Sequence, residues 1–366
     1  MKRKNVTMVL TDKCNLNCIY CYEKYKTNRV MKKETAIDII SHELCLASEN
    51  EEVVFELFGG EPFENFKLIT EIYDQLSDSE HKKWEISIIT NGTLVHDNVC
   101  VWLEQRKDRV KCILSLDGIR EVHNYNRSNS FDSIDIPFFL ETYDNPIVKM
   151  TISNYTIDRL CDSLVFLYNM GFSVNCSLGY GFEWTKEMLI KLDRQLSDFY
   201  ELAIKESFID DRSSLLSLPF ENIFYSKNTY YRNCDAGEGH IAYDVDGKRY
   251  PCHMFLPNGL SEEQLDGVKK ISFPELILEK EQIDFQCVGC PIHSVCQSCY
   301  ANNYRMNGDI YKQDMGICLA NRVVFMNRAK YMLNKWNLGQ LDLTDNEEYM
   351  LICSIQDILE MEGDCL

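Results

Sequence analysis

Short apolar runs alternate with segments of helical periodicity over the first half of the chain. Six runs rich in β-branched and aromatic residues predict strands, at 5–10, 53–58, 85–90, 111–116, 147–153 and 173–178. Helical patterns fill the gaps, for example at 33–48, 66–76, 96–106 and 157–170. Six βα units in series predict an α/β fold, with a mostly parallel sheet and helices outside it. Functional sites of such sheets lie at the carboxyl ends of the strands.

The rest of the chain follows other patterns. Residues 184–233 predict a helical bridge without clustered cysteines. Between 234 and 318 regular periodicity fades, and cysteine, glycine and turn residues dominate, which is typical of a domain held together by metal. The segments 319–336 and 346–359 predict closing helices within 319–366. We therefore expect the βα units in 1–183, followed by three smaller parts.

Composition and charge exclude several classes of protein. The 17 cysteines among 366 residues are too few for a disulfide scaffold, and the absence of a secretory signal favours the cytoplasm, where thiols stay reduced. Clustered cysteines then indicate metal ligands or catalysts. A net charge of −19 and the lack of a long apolar run argue against nucleic-acid and membrane partners. The charge fits a basic peptide partner, or simply a solvated acidic surface.

Three cysteines follow the first predicted strand directly, with the spacing C-x3-C-x2-C: Cys14, Cys18 and Cys21. Three thiolates this close together can ligate three irons of a 4Fe-4S cube and leave the fourth iron open. A structural zinc site normally needs four protein ligands, and no further Cys or His lies within ten residues of the motif. The motif therefore indicates an iron–sulfur site at the end of the first strand.

Up to about residue 180, the sequence resembles the radical S-adenosylmethionine (SAM) enzymes. The resemblance implies a partial (β/α)6 TIM-like barrel, a 4Fe-4S cluster on the three cysteines, and SAM chelated at the open iron. Tyr20 matches the aromatic position beside the adenine. Gly59, Gly60 and Glu61, in the run G-G-E-P, match the motif for the amino group of SAM, although such a run alone would more often be a turn.

Two further turns are expected at the same edge of the sheet. The run T-N-G-T at 90–93 ends the third predicted strand, and S-L-D-G at 115–118 ends the fourth. The resemblance implies that Asn91, Ser115 and Asp117 contact the ribose and carboxylate of SAM. Asn-Gly and Asp-Gly are also common turn formers, so a structural role stays open for each side chain.

Seven more cysteines form a second constellation: Cys234, Cys252, Cys287, Cys290, Cys296, Cys299 and Cys318. From spacing alone, two iron–sulfur clusters fit as well as two zinc sites completed by a histidine such as His240, His253 or His293. The pattern resembles a SPASM domain, the small irregular extension found in radical SAM enzymes that mature peptides and proteins. That resemblance implies two auxiliary 4Fe-4S clusters.

The same resemblance divides the seven cysteines into two ligand sets. Cys287, Cys290, Cys296 and Cys318 would hold the outer cluster. Cys234, Cys252 and Cys299 would hold the inner cluster, whose fourth iron is either open or ligated by Asp235 or His240. In the similar anaerobic sulfatase-maturing enzymes, an acidic residue that serves as a base follows the second cysteine. His253 takes that position here and is the candidate catalytic base, because histidine accepts a proton near neutral pH.

The resemblance implies a radical SAM peptide maturase with SAM and three 4Fe-4S clusters as cofactors. SAM would be cleaved reductively, and the 5′-deoxyadenosyl radical would abstract hydrogen from a ribosomally made peptide. A thioether or C–C crosslink, or an oxidised side chain, would result. Expected partners are a precursor peptide, basic if charge guides recognition, and an electron donor such as flavodoxin or ferredoxin. Because no leader-recognition segment precedes the first strand, a separate leader-recognition protein or the main body would bind the leader.

Two alternatives remain at this stage. The first, within the same class, is an anaerobic sulfatase maturase that makes formylglycine. The second, from another class, is a non-catalytic metal-binding scaffold that serves as an interaction module. The second alternative has to treat the C-x3-C-x2-C and G-G-E-P motifs as coincidence, and metal analysis together with SAM cleavage would separate the three hypotheses.

Overall fold

A computed structural model describes residues 3–81, 83–206, 213–227, 229–232 and 234–361. The chain divides into two compact units. The first comprises Met1–Leu116, His123–Lys149 and Asp235–Ile271, and the second comprises Asp117–Val122, Met150–Cys234 and Ser272–Leu366. The first unit therefore contains most of the predicted βα segment together with a piece of chain from beyond residue 234.

The described residues form eight strands: β1 (Arg3–Thr11), β2 (Glu52–Gly59), β3 (Trp84–Thr90), β4 (Val110–Ser115), β5 (Ile147–Ile152), β6 (Ser173–Leu178), β7 (His240–Tyr243) and β8 (Arg249–Tyr250). In the first unit, neighbouring strands from β1 to β5 pair in parallel, in sequence order. On the other side of β1, β7 pairs in parallel with it and β8 pairs antiparallel with β7. In the second unit, β6 is hydrogen-bonded to β5, whose carboxyl half belongs to that unit.

Helices connect the strands: α1 (Lys33–Leu46), α2 (Phe66–Ser77), α3 (Asp97–Glu104), α4 (Arg120–Asn126), α5 (Ile136–Thr142) and α6 (Leu160–Asn169). They bury apolar stripes, as α2 does with Leu68, Ile69, Ile72 and Leu76 at helical spacing. Parallel strands joined by crossover helices confirm the predicted α/β fold.

The two faces of the sheet differ in polarity because successive side chains of a strand point to opposite faces. One face is apolar and buried, with Val6, Met8, Phe55, Leu57, Ile86 and Ile88. Strand register places several polar side chains together on the other face. Thr7 is opposite Glu56, Glu56 is opposite Ser87, Ser115 is opposite Lys149, and Asn5 is opposite His240. This polar face, which we call the inner face, therefore carries hydrogen-bonding and charged groups along the strands.

All six predicted strands are present, with ends that differ from the prediction by at most two residues. The predicted helix at 157–170 begins as a 3-10 turn, Ile157–Arg159, and continues as α6. Six elements were not predicted: α4, α5, β7, β8 and two helices of the cysteine-rich segment, Glu262–Val268 and Tyr300–Asn307. Each is eight residues long or shorter, so it offers too few positions for a periodic pattern.

The remaining helices are α7 (Lys186–Lys205), α8 (Phe220–Tyr225), α9 (Glu262–Val268), α10 (Tyr300–Asn307), α11 (Met315–Asn337) and α12 (Asp345–Leu359). In the second unit, α7 packs on α11, and α8 packs on α12. The predicted closing helices are found as α11 and α12, while residues 362–366 lie outside the described part. Among the described helices, none combines the length and apolar character that a membrane span requires.

Candidate active site

The Cys loop, residues 12–25, follows β1 and carries the three cysteines of the C-x3-C-x2-C motif, all of them half-buried. Two hydrogen bonds support its middle. The amide of Ile19 donates to the carbonyl of Asn126 at 3.0 Å, and the amide of Asn17 donates to Ser128 Oγ at 3.0 Å. Ser128 has a φ of 56°, a region that residues other than glycine rarely adopt. Local backbone strain thus coincides with the support of the three thiols.

The surroundings of Cys14 combine a cation with open space. Burial raises the pKa of the Cys14 thiol, while the charge of Lys26 opposes that rise. Burial would lower the pKa of Lys26, but the neighbouring thiols of Cys21 and Cys14 outweigh it and raise this pKa. A cavity of about 360 Å³ adjoins this place and is lined by Asp12, Lys13, Cys14, Lys26, Thr27, Asn28 and Glu64. Cys14 therefore adjoins a space large enough for part of a ligand.

The glycines of the G-G-E-P motif let the turn after β2 approach the Cys loop closely. A Cβ atom on Gly59 would lie 2.2 Å from the carbonyl oxygen of Thr11, and one on Gly60 would lie 2.1 Å from that of Lys13. Gly59 also has a φ of 137°. Any side chain at these two positions would push the loop away, so the sequence requires glycine here for packing as well as for ligand access.

Glu61 is a buried clamp between the ends of β2 and β3. Its carboxylate accepts hydrogen bonds from Thr90 Oγ1 at 2.7 Å, the amide of Asn91 at 2.8 Å and the amide of Phe63 at 3.2 Å. Burial raises its pKa to about 7, although the three donors act in the opposite direction. The Glu61 carboxylate already accepts hydrogen bonds from the protein. The predicted contact with SAM would therefore be made by the backbone of this turn.

Asn91 connects the third strand to the Cys loop. Its side-chain amide donates to Asn15 Oδ1 at 2.9 Å, and Asn15 in turn donates to Thr93 Oγ1 at 2.7 Å. Asn91 is buried. The T-N-G-T turn therefore positions the loop that carries the cysteines, and Asn91 lies on the rim where the sequence placed it.

The other predicted SAM contacts differ in their surroundings. The guanidinium of Arg127 lies over the ring of Tyr20, 5.3 Å from its centroid, which fixes the ring by a cation–π contact. Ser115 ends β4 and is buried. In the second unit, Asp117 is fully buried and accepts a hydrogen bond from the amide of Thr151 at 3.2 Å. That bond favours a structural contribution from Asp117.

Glu56, His240 and His253 form a compact polar group in the first unit. Glu56 Oε2 lies 3.3 Å from His240 Nε2 and accepts a hydrogen bond from Thr7 Oγ1 at 2.6 Å. The rings of His240 and His253 are 5.7 Å apart, and the ring of Phe58 lies 5.3 Å from that of His253. Ligand atoms of the three polar side chains lie within 4.8 Å of one another.

The side chains of this group shift one another's pKa values. Burial would raise the pKa of Glu56, but the hydrogen bond and charge of His240 lower it to about 2. Burial would lower the pKa of His240, but Glu56 raises it. For His253, burial, then the charges of His240 and Lys149, lower the pKa to about 3. Its imidazole is therefore neutral near pH 7 and is a weaker proton acceptor than an ordinary histidine.

The second unit brings four of the predicted ligands together: Cys287, Cys290, Cys296 and Cys318. Burial raises the pKa of Cys287 to about 12, and the charges of Cys318 and Cys290 add to the rise. Burial also raises the pKa of the Cys296 thiol, and the charges of Cys318, Cys290 and Cys287 add to that rise. Each thiol of the set is therefore close enough to at least one other to interact with it by charge. Arg322 opposes the rise at Cys290 and Cys318.

Tyr180 is a site residue that the sequence analysis missed. It follows β6 in the run G-Y-G, which looks like a turn. Burial raises its pKa well above the usual value, and the nearby thiols of Cys299, Cys296 and Cys234 contribute. Its hydroxyl donates to the carbonyl of Gln297 at 3.4 Å. Tyr180 thus lies among cysteines from both predicted auxiliary sets. Cys252, in the first unit, is buried directly before His253.

A parallel βα sheet whose rim carries three clustered cysteines on a hydrogen-bonded loop is an α/β fold with a candidate metal site. The family model described as the radical SAM superfamily matches residues 8–196, more than half of the chain. The chain belongs to this superfamily and is an enzyme of it. Members of the superfamily use SAM together with a 4Fe-4S cluster.

Similar proteins extend the match beyond that segment. The radical SAM cyclopropyl synthase TigE of Paramaledivibacter caminithermalis is 24% identical over 342 residues, which cover 86% of this chain and 71% of TigE. A cysteine-type anaerobic sulfatase-maturating enzyme of Clostridium perfringens is 22% identical over 318 residues, covering 78% of this chain and 83% of that enzyme. The solved structure of native anSMEcpe with bound AdoMet and Cp18Cys peptide has a TM-score of 0.66 at 16% identity, covering 91% of this chain and 99% of that one. This last likeness confirms the predicted fold.

Proposed function

We propose that the protein is a radical SAM enzyme that modifies a ribosomally made peptide. The main support for this proposal is the similarity to TigE. It covers 86% of the chain and therefore extends beyond the βα segment. A polypeptide substrate is supported by the other two comparisons, since one protein is named for sulfatase maturation and the solved structure contains bound AdoMet and a bound peptide.

The donor set on the Cys loop fits a 4Fe-4S cluster with one open iron. Cys14, Cys18 and Cys21 are three soft ligands on one short loop, and all three are half-buried. The glycine turn at 59–60 leaves no room for side chains where it meets the loop, as expected of a backbone that must also meet a ligand. These three cysteines would therefore hold the cluster.

SAM and the cluster, when bound, supply a 5′-deoxyadenosyl radical that abstracts a hydrogen atom from the substrate. The chain's own residues would bind and orient SAM. The backbone of Gly59, Gly60 and Glu61 would receive the amino group of SAM. Tyr20, held by Arg127, would lie beside the adenine. We assign ribose and carboxylate contacts to Asn91, Ser115 and Asp117, with Asp117 acting through the backbone it fixes.

Two auxiliary 4Fe-4S clusters are part of the proposal. The proximity of Cys287, Cys290, Cys296 and Cys318 supports the outer cluster. For the inner cluster we assign Cys234, Cys252 and Cys299 from the resemblance to SPASM domains. Its fourth iron would be open or ligated by Asp235 or His240. Of these two, Asp235 is the better candidate, because His240 Nε2 is already engaged by Thr7 and Glu56.

His253 is proposed as the group that takes a proton from the substrate. Its imidazole is neutral near pH 7, but a pKa of about 3 makes it a weaker base than an ordinary histidine, so the assignment rests on its position directly after Cys252. Sulfatase maturation is the second candidate function, favoured by the match to the Clostridium perfringens enzyme. We rank it second because histidine replaces the acidic base expected from the resemblance.

The remaining partners follow from this chemistry. Reductive cleavage needs an electron donor such as flavodoxin or ferredoxin. The net charge of −19 favours a basic precursor peptide, which the main body or a separate leader-recognition protein would bind. Raising the salt concentration should then weaken peptide binding, because exposed charges are screened over about 10 Å at 0.1 M salt. Salt-independent binding would exclude electrostatic recognition.

Anaerobic reconstitution with iron and sulfide tests the proposal directly. We expect about twelve irons per chain, since each of three cubes holds four. A total near four would remove the auxiliary clusters from the proposal, and zinc without sulfide would remove the enzyme. The reduced protein should release 5′-deoxyadenosine from SAM, whereas the triple variant Cys14→Ala, Cys18→Ala, Cys21→Ala should release none and keep the auxiliary irons. A variant of Cys45, an exposed cysteine on α1, is the matched control.

A further inference from the structure

The part of the chain from the Cys loop to the start of α1 differs in charge from the chain as a whole. Residues 12–33, which we call the basic segment, contain six basic and two acidic side chains and have a net charge of +4, whereas the whole chain carries −19. The segment lies in the first unit. Its basic residues are Lys13, Lys24, Lys26, Arg29, Lys32 and Lys33.

The two acids of the basic segment are buried. Asp12 is 3% exposed and accepts a hydrogen bond from Arg29 Nε at 3.0 Å. Glu23 is 7% exposed and accepts a hydrogen bond from Asn258 Nδ2 at 2.6 Å. Three lysines of the segment, by contrast, are exposed to solvent: Lys13, Lys24 and Lys32. The segment therefore presents mainly positive charge to a partner.

The cavity beside Cys14 belongs to the same part of the surface. Lys13 and Lys26 line it, and Glu64, an exposed acid, is also among its lining residues. Lys13 directly precedes Cys14, so their Cα atoms are about 3.8 Å apart. A protein that covers the cavity would therefore contact a residue next to a proposed cluster ligand.

Exposed apolar residues accompany the lysines. Tyr25 is 52% exposed and Val30 is 43% exposed. The amide of Tyr25 donates to the carbonyl of Asn258 at 2.9 Å, so the backbone is held in place while the residue stays exposed. Aromatic and apolar groups beside charged ones are typical of protein–protein interfaces. The basic segment thus has both the charge and the apolar groups of a docking surface.

We propose that the basic segment is the docking surface for an acidic one-electron carrier protein, with Lys13, Lys24 and Lys32 as charged contacts. This inference rests on the proposed function, because reductive cleavage of SAM requires an electron. The reduced carrier loses one electron to the cluster of the Cys loop, and no bond forms or breaks in this step. The carrier contacts the outer side of the loop, at residues that are exposed to solvent.

Charge complementarity selects this occupant. An acidic carrier is repelled by a chain with a net charge of −19 and attracted by the segment that carries +4. Such a field steers the encounter toward the attractive segment, which contains the three cysteines. A basic precursor peptide has the opposite preference. The same charge distribution therefore separates the two partners of the proposed reaction.

The test compares two kinds of reductant of the reconstituted holoenzyme with SAM. Reduced flavodoxin and reduced ferredoxin serve as acidic carrier proteins, and dithionite serves as a small reductant that needs no docking surface. The measured quantity is the rate of 5′-deoxyadenosine release at limiting carrier, divided by the rate with dithionite. In the double variant Lys13→Gln, Lys24→Gln, this ratio should fall at least about fivefold at about 0.1 M salt with the better carrier. The difference should shrink at about 1 M salt, where the screening length falls from about 10 Å to about 3 Å.

A matched control removes the same charge elsewhere on the first unit. Lys107 and Lys111 are exposed and lie at the amino end of β4, at the edge of the sheet opposite the Cys loop. The double variant Lys107→Gln, Lys111→Gln should keep the ratio of the unaltered protein at both salt concentrations.

Four results would overturn the inference. The first is release that dithionite supports and neither carrier supports. The second is a ratio that is unchanged in the Lys13, Lys24 variant or falls equally in the control. The third is a SAM affinity that falls in the Lys13, Lys24 variant but not in the control, which would assign these lysines to SAM. The fourth is self-association of the unaltered protein that is lost in the Lys13, Lys24 variant, which would assign the surface to a second copy. Absence of 5′-deoxyadenosine even with dithionite would contradict the proposed function rather than the docking surface.

Discussion

The amide of Glu61 donates to the carbonyl of Lys13 at 2.8 Å, and this bond joins the turn after β2 to the Cys loop. The amide of Gly60 donates to the carbonyl of Thr11 at 3.0 Å beside it. Two motifs that are far apart in sequence are therefore one structural unit at the rim. The position of the cysteines depends on the glycine turn, and that dependence can be tested without substrate.

Gly60→Ala should displace the Cys loop. The new Cβ would lie 2.1 Å from the carbonyl oxygen of Lys13, so the backbone must move. We expect a loss of about 1–3 kcal/mol in the free energy of unfolding and a selective loss of the loop's cluster. Gly339→Ala is the control, since its φ of 66° is strained but nothing lies within 4 Å of the new atom. Equal iron content and SAM cleavage in the two variants would contradict the predicted dependence.

Glu61→Gln should change how stability depends on pH. Burial raises the pKa of Glu61 to about 7, above the 4.5 of an unfolded chain, so the folded state favours the protonated carboxyl. The stabilisation is complete below pH 4.5 and is lost as the pH rises through about 7. Relative to Glu61→Gln, which does not titrate, the unaltered protein should become less stable across that interval. Chemical unfolding at several pH values measures this, and parallel curves would contradict it.

The sequence predicted those parts of the fold and site that depend on neighbouring residues. Each of the six strands has a local apolar pattern, and the C-x3-C-x2-C and G-G-E-P motifs are continuous in the chain. Their meeting at the rim follows from the parallel sheet, since carboxyl ends of parallel strands share one edge. Local sequence patterns and the geometry of a parallel sheet were therefore enough to predict which motifs meet at the rim.

The Glu56–His240 pair could not be predicted in this way. It depends on β7, a four-residue strand that joins β1 from more than 200 positions away. Nothing in H-I-A-Y indicates a strand, because its stability comes from pairing with β1 rather than from its own pattern. The same holds for Lys149, which reads as an ordinary polar residue of an alternating strand until the register shows which charges share its face.

Cys287→Ala should remove the outer auxiliary cluster and leave the others. Its thiol lies among those of Cys290, Cys296 and Cys318, so a closed cube would lose a ligand. We expect about four fewer irons per chain and retained release of 5′-deoxyadenosine. Cys353→Ala, at a half-buried cysteine on α12, should change neither quantity. An unchanged iron content in Cys287→Ala would remove this residue from the ligand set.

Glu56→Gln should destabilise the protein most at mildly acidic pH. The stabilisation from Glu56, whose pKa falls from 4.5 to about 2, is present above pH 4.5 and lost as the pH falls through 2. That from His240, whose pKa is raised above 6.5, is complete below pH 6.5 and lost as the pH rises through the raised value. Both contributions are therefore present between about pH 4.5 and 6.5.

Between about pH 4.5 and 6.5, loss of the charged hydrogen bond between Glu56 and His240 should lower the free energy of unfolding by about 1.5–3 kcal/mol. The loss should be smaller at lower and at higher pH. Glu187→Gln, which breaks a pair exposed to solvent on α7, should give no measurable change at any pH. Nuclear magnetic resonance of His240 should show its pKa falling in Glu56→Gln, because the carboxylate that favours the imidazolium is gone. A destabilisation that is the same at every pH would mean that Glu56 acts by packing rather than by charge.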